Sequence, residues 1–138
     1  MSKTKLFILL LFLGIGLHQS SAQTYKFKTS GFSVSEKNEK GKWGKWSDLN
    51  LADILVTLDT NKNRIVIYSQ IVQLFEIVKY QPETENEDDI VYGFSGVDNN
   101  GEECAISIIT RKNQGNRKQL YINYDNRIIV YNISNYKE

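Results

Sequence analysis

"IVYGFSGVDNNGEECAISIIT", Ile90 to Thr110, decides how this chain folds. Two runs rich in β-branched and aromatic residues flank "DNNG", a composition that favours a tight reversal between antiparallel strands. Within the second run Cys104, Ile106 and Ile108 recur at every other position, the period at which a strand presents one face. The same grammar continues on both sides. Toward the C-terminus, "RKQLYINY" and "RIIVYNIS" surround "DN" and follow the turn "NQGN". Leu120, Ile122 and Tyr124 read as one face, and Ile128 and Val130 are expected to face the same side. Toward the N-terminus, "DILVTLD" and "RIVIYS" are joined by "TNKN", whose asparagines tolerate positive φ. There Ile54, Val56 and Leu58 share a face, with Ile65 and Ile67 as their partners across the ladder.

The first strand, "TYKFKTSGFSVSE", places Tyr25 and Phe27, then Phe32 and Val34, on alternate positions, and Gly31 between the pairs permits a bend or bulge. Residues 69–80, "SQIVQLFEIVKY", also satisfy helical spacing after a Ser69 cap, but their β-branched content favours a strand. About eight strands joined in order by short turns make an antiparallel meander. Unpaired strand edges invite aggregation. The expected fold is therefore all-β, a single-domain up-and-down or partly open β-barrel, with a two-sheet β-sandwich as the alternative.

The N-terminus reads differently. "MSKTK" is basic, Leu6 to Leu17 is an unbroken apolar run, and Ser20 and Ala22 are the small residues of a cleavage site, together a secretory signal peptide. The expected cut lies between Ala22 and Gln23, leaving residues 23–138 as one domain, secreted or periplasmic, with no membrane span after cleavage. Cys104 is the only cysteine, so no intramolecular disulfide is possible.

The chain carries 17 basic and 16 acidic side chains, a balance that argues against nucleic acid as a partner. From Tyr80 to Thr110 it has acids but no lysine or arginine, while basic residues flank that stretch on both sides, as they do where opposite charges meet across strands. His18, the only histidine, falls in the leader, which removes Ser-His-Asp and Cys-His catalysis and the usual zinc sites from the remainder. Cys104, at an alternating apolar position, reads as core. The loop "ETENEDD" offers Glu85, Glu87, Asp88 and Asp89 as weak calcium donors, but a solvated loop explains it better, and no metal site or cofactor is expected. "DTNKN" likewise reads as a hairpin turn, and "NIS" at Asn132 matters only in a eukaryotic secretory route.

Both tryptophans of the chain lie in "GKWGKWSDL", Gly41 to Leu49. The glycines predict a turn into the second strand, with one indole covering the open end of the core and the other partly exposed. The doubled "GKW" resembles the G-x-W signature of lipocalins, which implies a tryptophan plug and a barrel interior holding a small apolar ligand. More broadly, Trp43 and Trp46, then Asp98, Gly101 and Cys104, then Leu120 to Tyr124 are similar to a pattern in short exported Bacteroidota proteins of unassigned activity. That resemblance implies no chemistry. The expected function is a non-enzymatic binding or structural module, an unknown protein or a small apolar ligand being its partner, with Trp43, Trp46, Lys42 and Lys45 as the contact surface. The alternatives are a lipocalin-like carrier and an inhibitor or immunity-type protein presenting the loop from Gln81 to Asp89.

Overall fold

The structure, a computed structural model, describes residues 23–136. Ten strands form one antiparallel sheet: β1 (Thr24–Glu36), β2 (Asn50–Leu51), β3 (Leu55–Asp59), β4 (Arg64–Ile67), β5 (Gln73–Tyr80), β6 (Thr84–Glu85), β7 (Asp89–Asp98), β8 (Glu103–Arg111), β9 (Arg117–Asn123) and β10 (Arg127–Asn135). Each of β1, β3, β4, β5, β7, β8, β9 and β10 pairs with the next in that order, and β10 pairs back onto β1. The result is a closed eight-stranded up-and-down barrel. The short β2 and β6 lie outside it, on β1 and β7.

The turns are built as their residues require. Asn63 supplies a positive φ of 53° in "TNKN", where Asp59 Oδ1 accepts the backbone N–H groups of Asn61 and Lys62. Gly101 does so at 82° in "DNNG". Residues 69–80 contain strand β5, so β-branched content outweighed the helical spacing.

The ladder registers put Val56 opposite Ile67 and Leu58 opposite Ile65, as the alternation predicts. These side chains point into the barrel with Phe75, Phe94, Ile106, Ile108, Leu120 and Ile122 and form one core cluster, in which Ile67 and Ile122 are both 0% exposed. Two bulges keep the apolar face inside. In β1, Gly31 opposes Asn132 and Thr29 opposes Ile133, so Ser30 is an extra residue, and the inward set changes from Phe27 to Phe32. In β5, Ile77 opposes Gly96 and Lys79 opposes Ser95. Val78 is the extra residue there and is 71% exposed.

One expected facing is reversed. Leu120 opposes Tyr131 and Ile122 opposes Ile129, so Ile128 and Val130 lie on the outer face with Asn123 and Tyr121. The last strand is apolar on both faces, and the turn at Tyr124–Arg127, closed by Tyr124 N–H to Arg127 C=O at 2.8 Å, fixes the register instead.

Replacing Phe75, 1% exposed, by alanine should cost about 3–5 kcal/mol, because the barrel wall cannot collapse onto the void. Val78→Ala, on the exposed bulge, should stay within about 0.5 kcal/mol. Urea midpoints of the two variants, compared at unchanged slope, check the contrast.

Candidate functional site

The registers sort the barrel into two chemically distinct ends. At one lie Asp98, Glu103, Asn123 and Arg127 with the loops they bound; at the other lie Asp59, Tyr80, Asp89, Arg111, Arg117 and Asn135.

The first end is sealed by a polar network. Asp98 is buried, its Oδ1 accepting backbone N–H groups of Asn100 and Glu102, both at 2.9 Å, and its Oδ2 accepting the Tyr124 hydroxyl at 2.8 Å. Arg127 stacks on the Tyr124 ring, 3.8 Å from its centroid, and pairs with Glu102 at 3.1 Å. Burial pushes the Asp98 carboxyl up, but those three hydrogen bonds and the Arg127 charge outweigh it and hold the carboxyl below its ordinary value. Nearby Cys104 is buried, and desolvation, with the charges of Asp98 and Glu102, pushes its thiol up to about 11. Asp98, held by three hydrogen bonds, and the buried thiol of Cys104 belong to the structural plug at this end.

The tryptophans neighbour this end but do not close it. Residues 43–51 run beside the second half of β1: Gly44 N–H donates to Glu36 C=O, Ser47 N–H to Val34 C=O, and Trp43 bridges Lys37. Leu49 lies against Gly31, where a Cβ would approach Asn50 O to 2.9 Å. This pairing extends the wall instead of folding over the opening. Trp43 and Trp46 are 45% and 49% exposed, so neither indole is the core plug the sequence predicted. Lys37 Nζ, and not Lys42 or Lys45, sits over the Trp43 ring at 5.2 Å; Lys42 and Lys45 are exposed.

The calcium donors are dispersed. Glu85 pairs with Lys112 at 2.8 Å and Asp89 with Arg111 at 3.1 Å, Asp88 accepts the Asn113 amide, and Glu87 is exposed. Among the described residues no three carboxylate, cysteine or histidine groups converge on a metal position. The opposite charges around the acidic stretch thus meet across strands and loops.

The second end is hollow. A pocket of about 350 Å³ opens there, at the lower bound of volumes that hold small molecules, about 300–1,000 Å³. Its floor is the outermost apolar layer of the core: Phe27, Leu58, Phe94 and Ile108, all buried. Its rim is Tyr25, Tyr80 and Tyr92, each a little over 40% exposed. Register explains why all seven face inward, since Tyr25 opposes Leu58, Tyr80 opposes Phe94 and Tyr92 opposes Ile108. Tyr80 packs edge-on to Phe94 with centroids 5.5 Å apart and donates its hydroxyl to Asn63 Oδ1 at 2.8 Å, which fixes its ring. Burial raises the Tyr92 hydroxyl above its usual value and nearby Glu83 raises it further, so it stays protonated. Thr110, Lys118 and Asn135 complete the wall with polar groups.

A second depression, about 530 Å³, crosses the outer surface between Val78, Val97, Ala105 and Asn123. Outward-facing side chains line most of it, so it is an open groove on the barrel wall. Reading the sequence for tryptophans missed the hollow, although its signal was present: Tyr25, Tyr92 and Lys118 each share the parity of an inward apolar residue two positions away.

No protein family matches the chain, and neither a curated protein nor a solved structure resembles it significantly.

The plug should make stability acid-sensitive. A carboxyl held low by its partners contributes stability that is fully present above the unfolded value of about 3.9 and is lost as pH falls through the folded value. Tyr124→Phe should cost about 1–3 kcal/mol at neutral pH by leaving Asp98 Oδ2 without its donor. In Asp98→Asn the decline of stability toward low pH should be shallower, as urea denaturation from pH 7 to pH 3 would record.

Proposed function

We propose that the protein is a non-enzymatic binding module whose ligand is a small, largely apolar molecule held in the tyrosine-rimmed hollow. The observation that carries this reading is the hollow itself: a buried apolar floor of Phe27, Leu58, Phe94 and Ile108 under three inward-facing tyrosines, at the end opposite the Asp98 network. Rings whose rotamers are fixed by packing offer contact area at little entropic cost, and tyrosine keeps a polar tip in water. The chemistry elsewhere supports binding over catalysis, since Cys104 is buried with its thiol pushed up and Asp98 is engaged by three hydrogen-bond donors. With a secretory leader over residues 1–22, the module would act outside the cytoplasm.

A second reading has its own support. Trp43, Trp46 and Leu51 are exposed along a stretch that pairs with β1 on one side only, and tryptophans in such a position suit a protein contact. Trp46→Ala would then abolish association with a protein partner and leave small-molecule binding intact.

The apolar fluorophore N-phenyl-1-naphthylamine tests the first reading. Its emission should rise on titration with the purified protein, and Tyr92→Ala should weaken binding about two- to tenfold, the worth of one aromatic contact. Unchanged affinity in Tyr92→Ala and Tyr25→Ala would place the dye elsewhere and remove the proposal.

A further inference from the structure

We infer that the hollow selects ligands carrying an anionic group, with Lys118 as the cation that receives it. The inference rests on the binding reading above and adds the chemical class of the ligand: an amphiphilic organic acid, apolar in its body and charged at one end.

Lys118 opposes Thr110 on β8 and Ile133 on β10, and all three lie on the inner face of the wall. It stands on a strand whose other inward positions are Leu120 and Ile122, 1% and 0% exposed. Lys118 is half-buried, so its aliphatic stem can lie along the apolar wall while its ammonium reaches the mouth, where an anion can meet it. Three other cations at this end are engaged. Arg111 holds Asp89, Lys112 holds Glu85, and Arg117 bonds Gln114 and Asn132. Lys118 forms no ion pair with any described residue. Of the acids near the hollow, Glu85 and Asp89 pair with those cations, Glu83 lies near the Tyr92 hydroxyl, and Asp59, near the Tyr80 hydroxyl, has one carboxylate oxygen engaged by the backbone of its own turn.

The geometry therefore sets one unpaired ammonium in the wall of an apolar cup, beside the hydroxyl of Thr110 and the amide of Asn135. A carboxylate, sulfonate or phosphate at the mouth would gain a charge-assisted hydrogen bond from Lys118 while its apolar body covers Phe27 and Phe94. A neutral ligand of equal size would gain only the second contribution.

Two dyes with the same N-phenylnaphthylamine body separate these contributions: 8-anilinonaphthalene-1-sulfonate, which is anionic, and N-phenyl-1-naphthylamine, which is neutral. At low salt, Lys118→Met should weaken the sulfonate dye about tenfold, the size of one charge-assisted hydrogen bond, and leave the neutral dye within about twofold. Lys118→Arg should restore most of the sulfonate affinity, and Lys118→Gln gives the same readout if the methionine variant folds poorly. Equal effects on both dyes, or none on either, would overturn the role of Lys118 while a Tyr92→Ala loss of neutral-dye binding left the hollow in place. Neutral-dye binding that is absent, or indifferent to Tyr92, would overturn the binding reading itself.

Discussion

The constraint beneath this structure is that side chains alternate along a strand, so a closed wall has only one inside. Every strand must keep its apolar set on that side through curvature that a regular ladder does not accommodate. β1 and β5 solve this with one extra residue each, Ser30 and Val78. Without the first, Phe32 and Val34 would point to water while Phe27 pointed inward. Without the second, Tyr80 would leave the rim, and the cup over Phe94 would lose one wall. The bulge that accommodates curvature thus also positions a ring of the candidate site.

Much of this arrangement is legible in the amino-acid string because the alternation is clean where one face is wet. The pairing of Val56 with Ile67 and Leu58 with Ile65, the change of parity around Gly31, and the buried place of Cys104 all follow from period two and turn composition. It fails where both faces are greasy. In "RIIVYNIS" four consecutive apolar residues fit either register, and a four-residue turn decides between them, so Ile128 and Val130 point outward. The tryptophans were misplaced for another reason. Their glycines signal a turn, but whether the returning segment folds over the core or pairs beside β1 depends on free backbone groups at Val34 and Glu36, which composition does not reveal. The hollow was readable in principle, since Lys118 shares parity with Leu120 and Ile122, but an inward cation gains meaning only once neighbouring charges are known to be paired off.

The two ends of the barrel differ in how their charges are compensated. At one end Asp98, Tyr124, Arg127 and Glu102 compensate one another within a few ångströms. At the opposite end the charges on the outer wall are neutralised pairwise, by Arg111 with Asp89 and Lys112 with Glu85, and one cation is turned inward. The polar network and the tyrosine rim therefore lie at opposite ends of the barrel and share no hydrogen bond among the described residues.

The seam joining β1 to β10 has a temporal consequence. Phe32 meets Tyr131 across it, so the contact that completes the wall unites nearly the first and last described residues of the chain. The other pairings join strands that follow one another along the chain, so this one distant pairing carries the largest loop-closure cost, and non-local pairing slows folding. Until the final strand arrives, the growing sheet carries two raw margins able to recruit a neighbouring chain. Refolding yield should therefore fall with protein concentration more steeply than equilibrium stability alone would suggest.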